Sequence, residues 1–461
     1  MTRFFRSRSV AVFALLLFAA VPYAFGQTKQ EQRQARQYID QADKAFYARD
    51  FASAADLYEQ AIKIIPSDPV PHFWRANALH NLKRLDEAEQ EFQLALSQGY
   101  KPIIQVYQSR WYLYVDQKKY DKALDDIKKG LEIDPTNSIL LHGLGDVAFQ
   151  SANYAEALDG YQKALAVTPK DGDLYYSIAL THSRMGDLGG QANAAAESIR
   201  LGTRYMGDAY YLLGDAEDRM NKVANAVESY RRALAAKKEL YQVYVRLAAL
   251  LQKQNKLTEA IDTIKKGMVV FPRDGRLYTD ISWYYSLADR PTDARDAAKA
   301  ATILLPNEYM GFTNLCRALN DTKQYPEAVV ACNSALRLNP GDGETYFYLG
   351  RANDMLGRKR EATGNYAKAV TGMVAFTKAN PDYPDGFYIL GNAYYSNGQR
   401  ERAIDAYLKC IELNPNFSRA RFNLGYIYLL KGDKASANEQ YNRLLATDAA
   451  LAAKLRAEID K

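Results

Sequence analysis

Between Leu141 and Pro169 apolar residues recur every three or four positions in two runs. Leu141, Leu144, Gly145 and Ala148 make one stripe, and Ala157, Tyr161 and Ala164 make another. The polar Ser151-Ala152-Asn153 separates them. Three-and-four spacing is the period of an α-helix. Pro169 ends the second run, because proline lacks the amide hydrogen and clashes with the preceding turn. The stretch predicts two antiparallel helices joined by a short connection. Neither can bury its stripe alone, so the pair must stack on further pairs.

The rest of the chain supplies them. Ala157 has counterparts at Ala54, Ala88, Ala123, Ala226, Ala260, Ala294, Ala328, Ala362, Ala403 and Ala437, mostly 34 or 35 residues apart. A second small residue follows each marker by seven positions, as at Ala61, Gly130, Ala233 and Cys410. A third precedes it by twelve, as at Ala42, Gly145, Cys316 and Gly391. An aromatic stands four after many markers, as at Tyr58, Tyr161 and Tyr407, and proline twelve after, as at Pro66, Pro272 and Pro415. Between Ala157 and Ala226 one marker is missing, and Gln191 or Ala192 takes its place. The tenth copy is seven residues too long. Tyr366, Val370, Met373 and Phe376 carry its stripe onward, which predicts a second helix that runs about 10 Å further, at ~1.5 Å per residue. It should protrude beyond its neighbours and end before Pro381.

Several columns moving in phase resemble the tetratricopeptide repeat (TPR) family, with its Leu-Gly, its aromatics, its small residues and its closing proline. Twelve copies cover about 35–451. Trp111 at the small position of the third copy and Gly189-Gly190 in the fifth depart from the pattern. The resemblance implies an all-α, right-handed superhelical solenoid of helix-turn-helix units. Residues 449–461 read as a last, capping helix, ending with 452–461, and residues 27–34 as a short polar lead. Residues 1–26 read as a secretory signal: the basic MTRFFRSRS, then the twelve apolar residues 10–21, then small residues at Ala24 and Gly26. Such a core is short for a bilayer span, which needs ~20 residues. An exported chain, periplasmic or secreted and without a transmembrane segment once the signal is cut, is the expectation.

Composition narrows function further. Of the net charge of +6, three charges are Arg3, Arg6 and Arg8, so the remainder is near neutral and points to no nucleic acid. Gly143-Leu144-Gly145-Asp146-Val147-Ala148 fits the dinucleotide fingerprint G-x-G-x-x-A, but no strand precedes it. Gly145 falls in the small-residue column, where a glycine permits close helix packing. The four histidines are dispersed, and no P-loop or nucleophile elbow occurs, so no catalytic residue, cofactor or metal is assigned. Adjacent acids such as Asp125-Asp126 read as solvated. Cys316 and Cys332 fall at inward columns on the two helices of the ninth copy, either as small packed residues or as a disulfide that an oxidising compartment would permit; Cys410 reads as packed.

In the family, first helices line a concave groove that takes an extended peptide or short helix of another protein. The column one after the first-helix small residue faces that groove. Its first half carries the acids Asp43, Asp146 and Asp215; its second carries Trp283, Arg317, Arg351, Asn392 and Tyr426. Phe347, Tyr388 and Phe422 form a neighbouring column, with Tyr395 beside them. Arginine among aromatics is the composition of binding hot spots, and these nine residues are the candidate partner site. No lysine occupies the column, which disfavours the carboxylate clamp of chaperone-binding relatives. The reading is a non-catalytic interaction scaffold or adaptor of a bacterial cell envelope. The alternative is a binder of an envelope glycan through the aromatic groove.

Overall fold

The computed structural model describes residues 28–254 and 256–461. Among them are twenty-five α-helices. Twenty-four form twelve successive pairs, from Lys29–Tyr47 with Phe51–Ile64 to Ser418–Leu430 with Lys434–Leu445. The last, Ala449–Ile459, covers the end of the stack by packing Ala452, Leu455 and Ile459 against Ala437 and Leu444. The signal reading of residues 1–26 lies outside the described residues. The polar lead is shorter than expected. The first helix already begins at Lys29, because Thr28 and Glu31 form a capping box that satisfies the free amides there.

Within each repeat the turn between helices has one recurring feature. Ala152 adopts φ 62°, and Arg49, Lys83, Lys118, Asn221, Asp289 and Lys323 do the same at the equivalent place. Asn153 N–H reaches back to the Ala148 carbonyl at 2.8 Å, and Ala152 N–H to Phe149 at 3.0 Å. The left-handed residue lets the chain reverse while capping the helix's last carbonyls. The closing prolines sit two residues past second-helix ends, as Pro169 does after Val167.

The small-residue columns are explained by the aromatic. A methyl on Gly145 would stand 2.4 Å from the Tyr161 ring, and one on Gly391 would stand 2.5 Å from Tyr407. Gly143, the other glycine of the fingerprint, leaves room for Trp111 of the preceding repeat. A tyrosine hydroxyl buried by this packing calls for an acceptor, and three of the column find one, whereas Tyr230 does not. Tyr58 donates to Asp43 at 2.6 Å, Tyr161 to Asp146 at 2.8 Å, and Tyr407 to Asn392 at 2.7 Å. The column expected to face only the groove thus also holds the second helix. Asp126 departs from expectation more sharply. It is 1% exposed and takes both oxygens to Arg110, at 2.6 and 2.7 Å, while Asp125 stays in water. Helix rotation of about 100° per residue puts adjacent acids on different faces, and one of those faces is the core.

The tenth repeat's second helix is Lys359–Ala379, 21 residues against the usual 14. It ends before Pro381 as expected, but the added turns are not a free ledge. Gly311, which opens repeat nine, abuts Ala301, seven past the preceding marker. The equivalent Gly386 of repeat eleven abuts Phe376 and Thr377, fourteen and fifteen past theirs. Repeat eleven therefore seats on the extension, about two turns along it.

The chain divides into two compact units, one ending at Met185 and one beginning at Gly186. The boundary falls inside the fifth repeat, the one whose Gly189-Gly190 departs from the pattern.

Candidate binding cavity

In the second unit the first helices of repeats eight to eleven present their inner faces to one cavity of about 470 Å³. Six of the nine candidate residues line it: Trp283, Arg317, Phe347, Arg351, Tyr388 and Asn392. The other three do not. Phe422 packs against the C-terminal cluster, Tyr395 against the core around Tyr407, and Tyr426 is half-buried on the repeat-twelve helix. The expected row of Phe347, Tyr388 and Phe422 is broken because repeat twelve turns that column towards the capping helix.

Arg317 is not the exposed groove arginine that its column implies. It is 3% exposed, with its guanidinium 4.2 Å above the Trp283 ring centre and 5.8 Å from that of Tyr348. Nη1 donates to Glu344 Oε1 at 3.1 Å and Nη2 donates to Asn314 Oδ1, while Nε has no acceptor. A flat, weakly hydrated cation suits such stacking. Arg351 stays half-exposed and donates to Asp321 at 2.9 Å. Tyr388 leans on Phe417 with ring centres 5.1 Å apart. Cys316, next to Arg317, is bonded to Cys332 with Cα atoms 5.1 Å apart, which ties the two helices of repeat nine together behind the cavity wall. Cys410 is buried, and burial pushes its thiol well above the usual range.

The cavity wall, and Glu344 beside Arg317, include residues that the column reading passed over. Asp385 is 7% exposed and lines the wall. Burial pushes its carboxyl up to about 6, with Arg317 and Arg419 opposing. Glu344 is pushed up to about 7, again by burial and against the pull of Arg317. Its side chain keeps 27% of its surface open, so solvent screens part of that push. Glu344, Asp385 and Arg419 all stand six before a small residue, so this in-phase column was legible. What was not legible is the far wall. The turn with Asn416 and Phe417 and the start of the helix Ser418–Leu430 return to repeat eight, where Arg419 Nη2 donates to the Ser286 carbonyl at 3.2 Å across 133 residues.

The first unit has its own hollow of about 620 Å³, walled by Trp74, Asn77, His80, Gln108 and Tyr112 among others. Asn77 and Gln108 turn their amides to Phe73 and Asn137. Asp146 and Asp215 lie in different units, and Asp215 accepts from Gln191, the residue that fills the missing marker position, at 3.3 Å. Among the described residues no cluster of three side chains could hold a metal ion, and no helix is long and apolar enough to cross a membrane.

Known proteins match along much of the chain. Tetratricopeptide repeat models match residues 39–100, 114–180, 207–239 and 418–450, and a TPR repeat model matches 391–432. A 156-residue stretch is 26% identical to the small glutamine-rich tetratricopeptide repeat-containing protein 2 of Mycosarcoma maydis, covering 34% of each chain. The match thus spans about a third of that relative's length. Solved structures that the chain is similar to include Cut9 in the APC/C hetero-tetramer Cut9–Hcn1 (15% identity, 94% of this chain and 97% of that one, TM-score 0.37). Yeast Tom70 is another (14%, 93% and 94%, 0.38), as is PilF of Pseudomonas aeruginosa (18%, 45% and 94%, 0.39).

Proposed function

The chain belongs to the tetratricopeptide repeat family, and from that premise we propose that it is a non-catalytic adaptor holding a segment of another protein in the inner cavity of its second unit. The observation that carries the reading is Arg317 stacked on Trp283 beside Arg351 and Tyr388 in one cavity. Rigid aromatics and fixed guanidiniums lose little freedom when a partner arrives, which is what makes such residues hot spots. A sugar would need open aromatic faces. Arg317 occupies one face of Trp283, and Phe347 is buried, so the peptide reading is favoured over the glycan one.

The setting we propose is a bacterial cell envelope. Its support is the basic and apolar pattern of residues 1–26 together with a cysteine pair in bonding contact. Fractionation of native cells, with the N-terminus of the mature chain read by sequencing, tests it. A cytosolic chain that still begins at Met1 would end the proposal.

The partner reading is tested by placing a photo-crosslinking amino acid at Tyr388 in the full-length protein. The expected result is a discrete protein adduct that Arg351→Ala weakens. Adducts formed only from positions in the hollow around Tyr112 would move the site to the first unit.

A further inference from the structure

Six charged side chains line the cavity of the second unit: Arg317, Asp321, Arg351, Asp385, Arg419 and Asp448. Five have partners. Arg317 is held by Glu344 and Asn314, Arg351 and Asp321 hold each other, and Arg419 donates to Ser286. Asp448 accepts the Leu451 amide at 3.0 Å as a helix cap. Asp385 is the exception. It is nine-tenths buried, it lines the space, and its carboxyl has no hydrogen bond to any other described residue. An acid in the first turn of a helix is common, and Asp385 follows Pro384 at the start of Pro384–Ser396. Such acids normally sit in water, where they cost nothing. Arg317 and Arg419 act on the Asp385 carboxylate only through space, with no direct hydrogen bond or ion pair to it. A buried carboxylate without a direct partner is costly, a cost that a bound donor would relieve.

We propose that the cavity receives a lysine or arginine side chain of the partner segment, with the Asp385 carboxylate as its counter-ion and Tyr348 and Tyr388 as flanking aromatic walls. The inference rests on the reading that a protein segment occupies this cavity. An ammonium or guanidinium supplies the missing donor, and its apolar stem lies along the half-open ring of Tyr388, which lines the space. A neutral side chain would leave Asp385 unpaired, and an acidic one would face it with a like charge. The three arginines of the lining do not oppose a cation as free charges would, because each already has an acceptor. Aromatic faces favour a cation over an isosteric hydrocarbon once water is excluded.

The test uses the full chain and four capped tripeptides, acetyl-Gly-X-Gly-amide, with X as lysine, arginine, norleucine or glutamate. The Ile389 methyl resonance, at the cavity wall, reports occupancy in the protein that carries no crosslinker. The lysine and arginine peptides are expected to shift it in a saturable way, and the norleucine and glutamate peptides are not. Asp385→Asn keeps the shape and should weaken the basic peptides about tenfold or more, as loss of a charge-assisted partner does. Equal shifts from norleucine and lysine overturn the proposal without any variant, so a misfolded Asp385→Asn leaves the test intact. No shift from any peptide, or full lysine binding to a folded Asp385→Asn, also overturns it. If the native partner still crosslinks at Tyr388 in those cases, the basic-residue inference falls and the peptide-cavity reading stands. If no partner crosslinks there, both fall.

Discussion

Gly145 shows how much a single methyl decides. Its absent Cβ would stand 2.4 Å from Tyr161, whose hydroxyl is anchored on Asp146, so the ring cannot easily retreat. Gly145→Ala gains up to ~1 kcal/mol of helix propensity but should lose ~1–3 kcal/mol to overpacking. Net destabilisation centred on residues 138–167 is expected by hydrogen exchange, and unchanged protection there would contradict the packing. Asp385 and Glu344 set a second expectation at this scale. Both acids bind their protons more tightly folded than unfolded, since burial raises them to about 6 and about 7 from ordinary values of roughly 4. Stability should therefore rise as pH falls from about 7 towards about 4, and be lost on returning upward through 6 to 7. Trp283 is the only tryptophan of the second unit, so its fluorescence can follow melting of that unit. A higher midpoint at pH 5 than at pH 8 is expected, with the difference reduced in Asp385→Asn.

At the scale of the helix, the seven added residues of Lys359–Ala379 have a specific effect. Deleting 370–376 returns Pro381 to the ordinary place twelve past Ala362, so the repeat should still form. Ala369 would then meet Gly386 as Ala301 meets Gly311. Stacking should survive, with a change in stability within about 2 kcal/mol, because the deletion swaps one ordinary helix contact for another. The cavity should not survive, because repeat eleven would move about 10 Å along its neighbour at ~1.5 Å per residue. Tyr388 and Asp385 would leave Arg317. Retained melting with lost crosslinking at Tyr388 is the expected pair of results. Lost melting would show that the extension is needed for folding itself. The helical continuation was readable from Tyr366, Val370, Met373 and Phe376. The seat of the next repeat was not, because it depends on which turn of one helix meets which turn of another.

Across the second unit, the contact of Arg419 with Ser286 joins repeats eight and twelve, beyond the neighbour-to-neighbour contacts that hold a repeat array together. A half-exposed bond of this kind contributes roughly 0–1 kcal/mol. Arg419→Ala should therefore melt like the parent, yet spin labels at positions 289 and 416 should report a longer and broader distance. An unchanged distance would mean that stacking alone brings the ends together. Period, helix pairing, repeat number and the capping helix were all set by local apolar spacing and by small residues where helix axes approach, and these are properties of a few dozen residues at a time. The same holds for the aromatic and arginine composition of repeats eight to eleven. Burial of Arg317, the unpaired state of Asp385, the pairing of Asp126 with Arg110 and the departure of Phe422 from its row were decided only by tertiary structure. Each depends on what lies opposite a side chain once the helices have packed, within one repeat for Asp126 and Arg110 and between repeats for the others. Which surfaces face each other is set by how whole helices seat on one another, up to the return of Arg419 in repeat twelve to Ser286 in repeat eight, and no single repeat's residues record that.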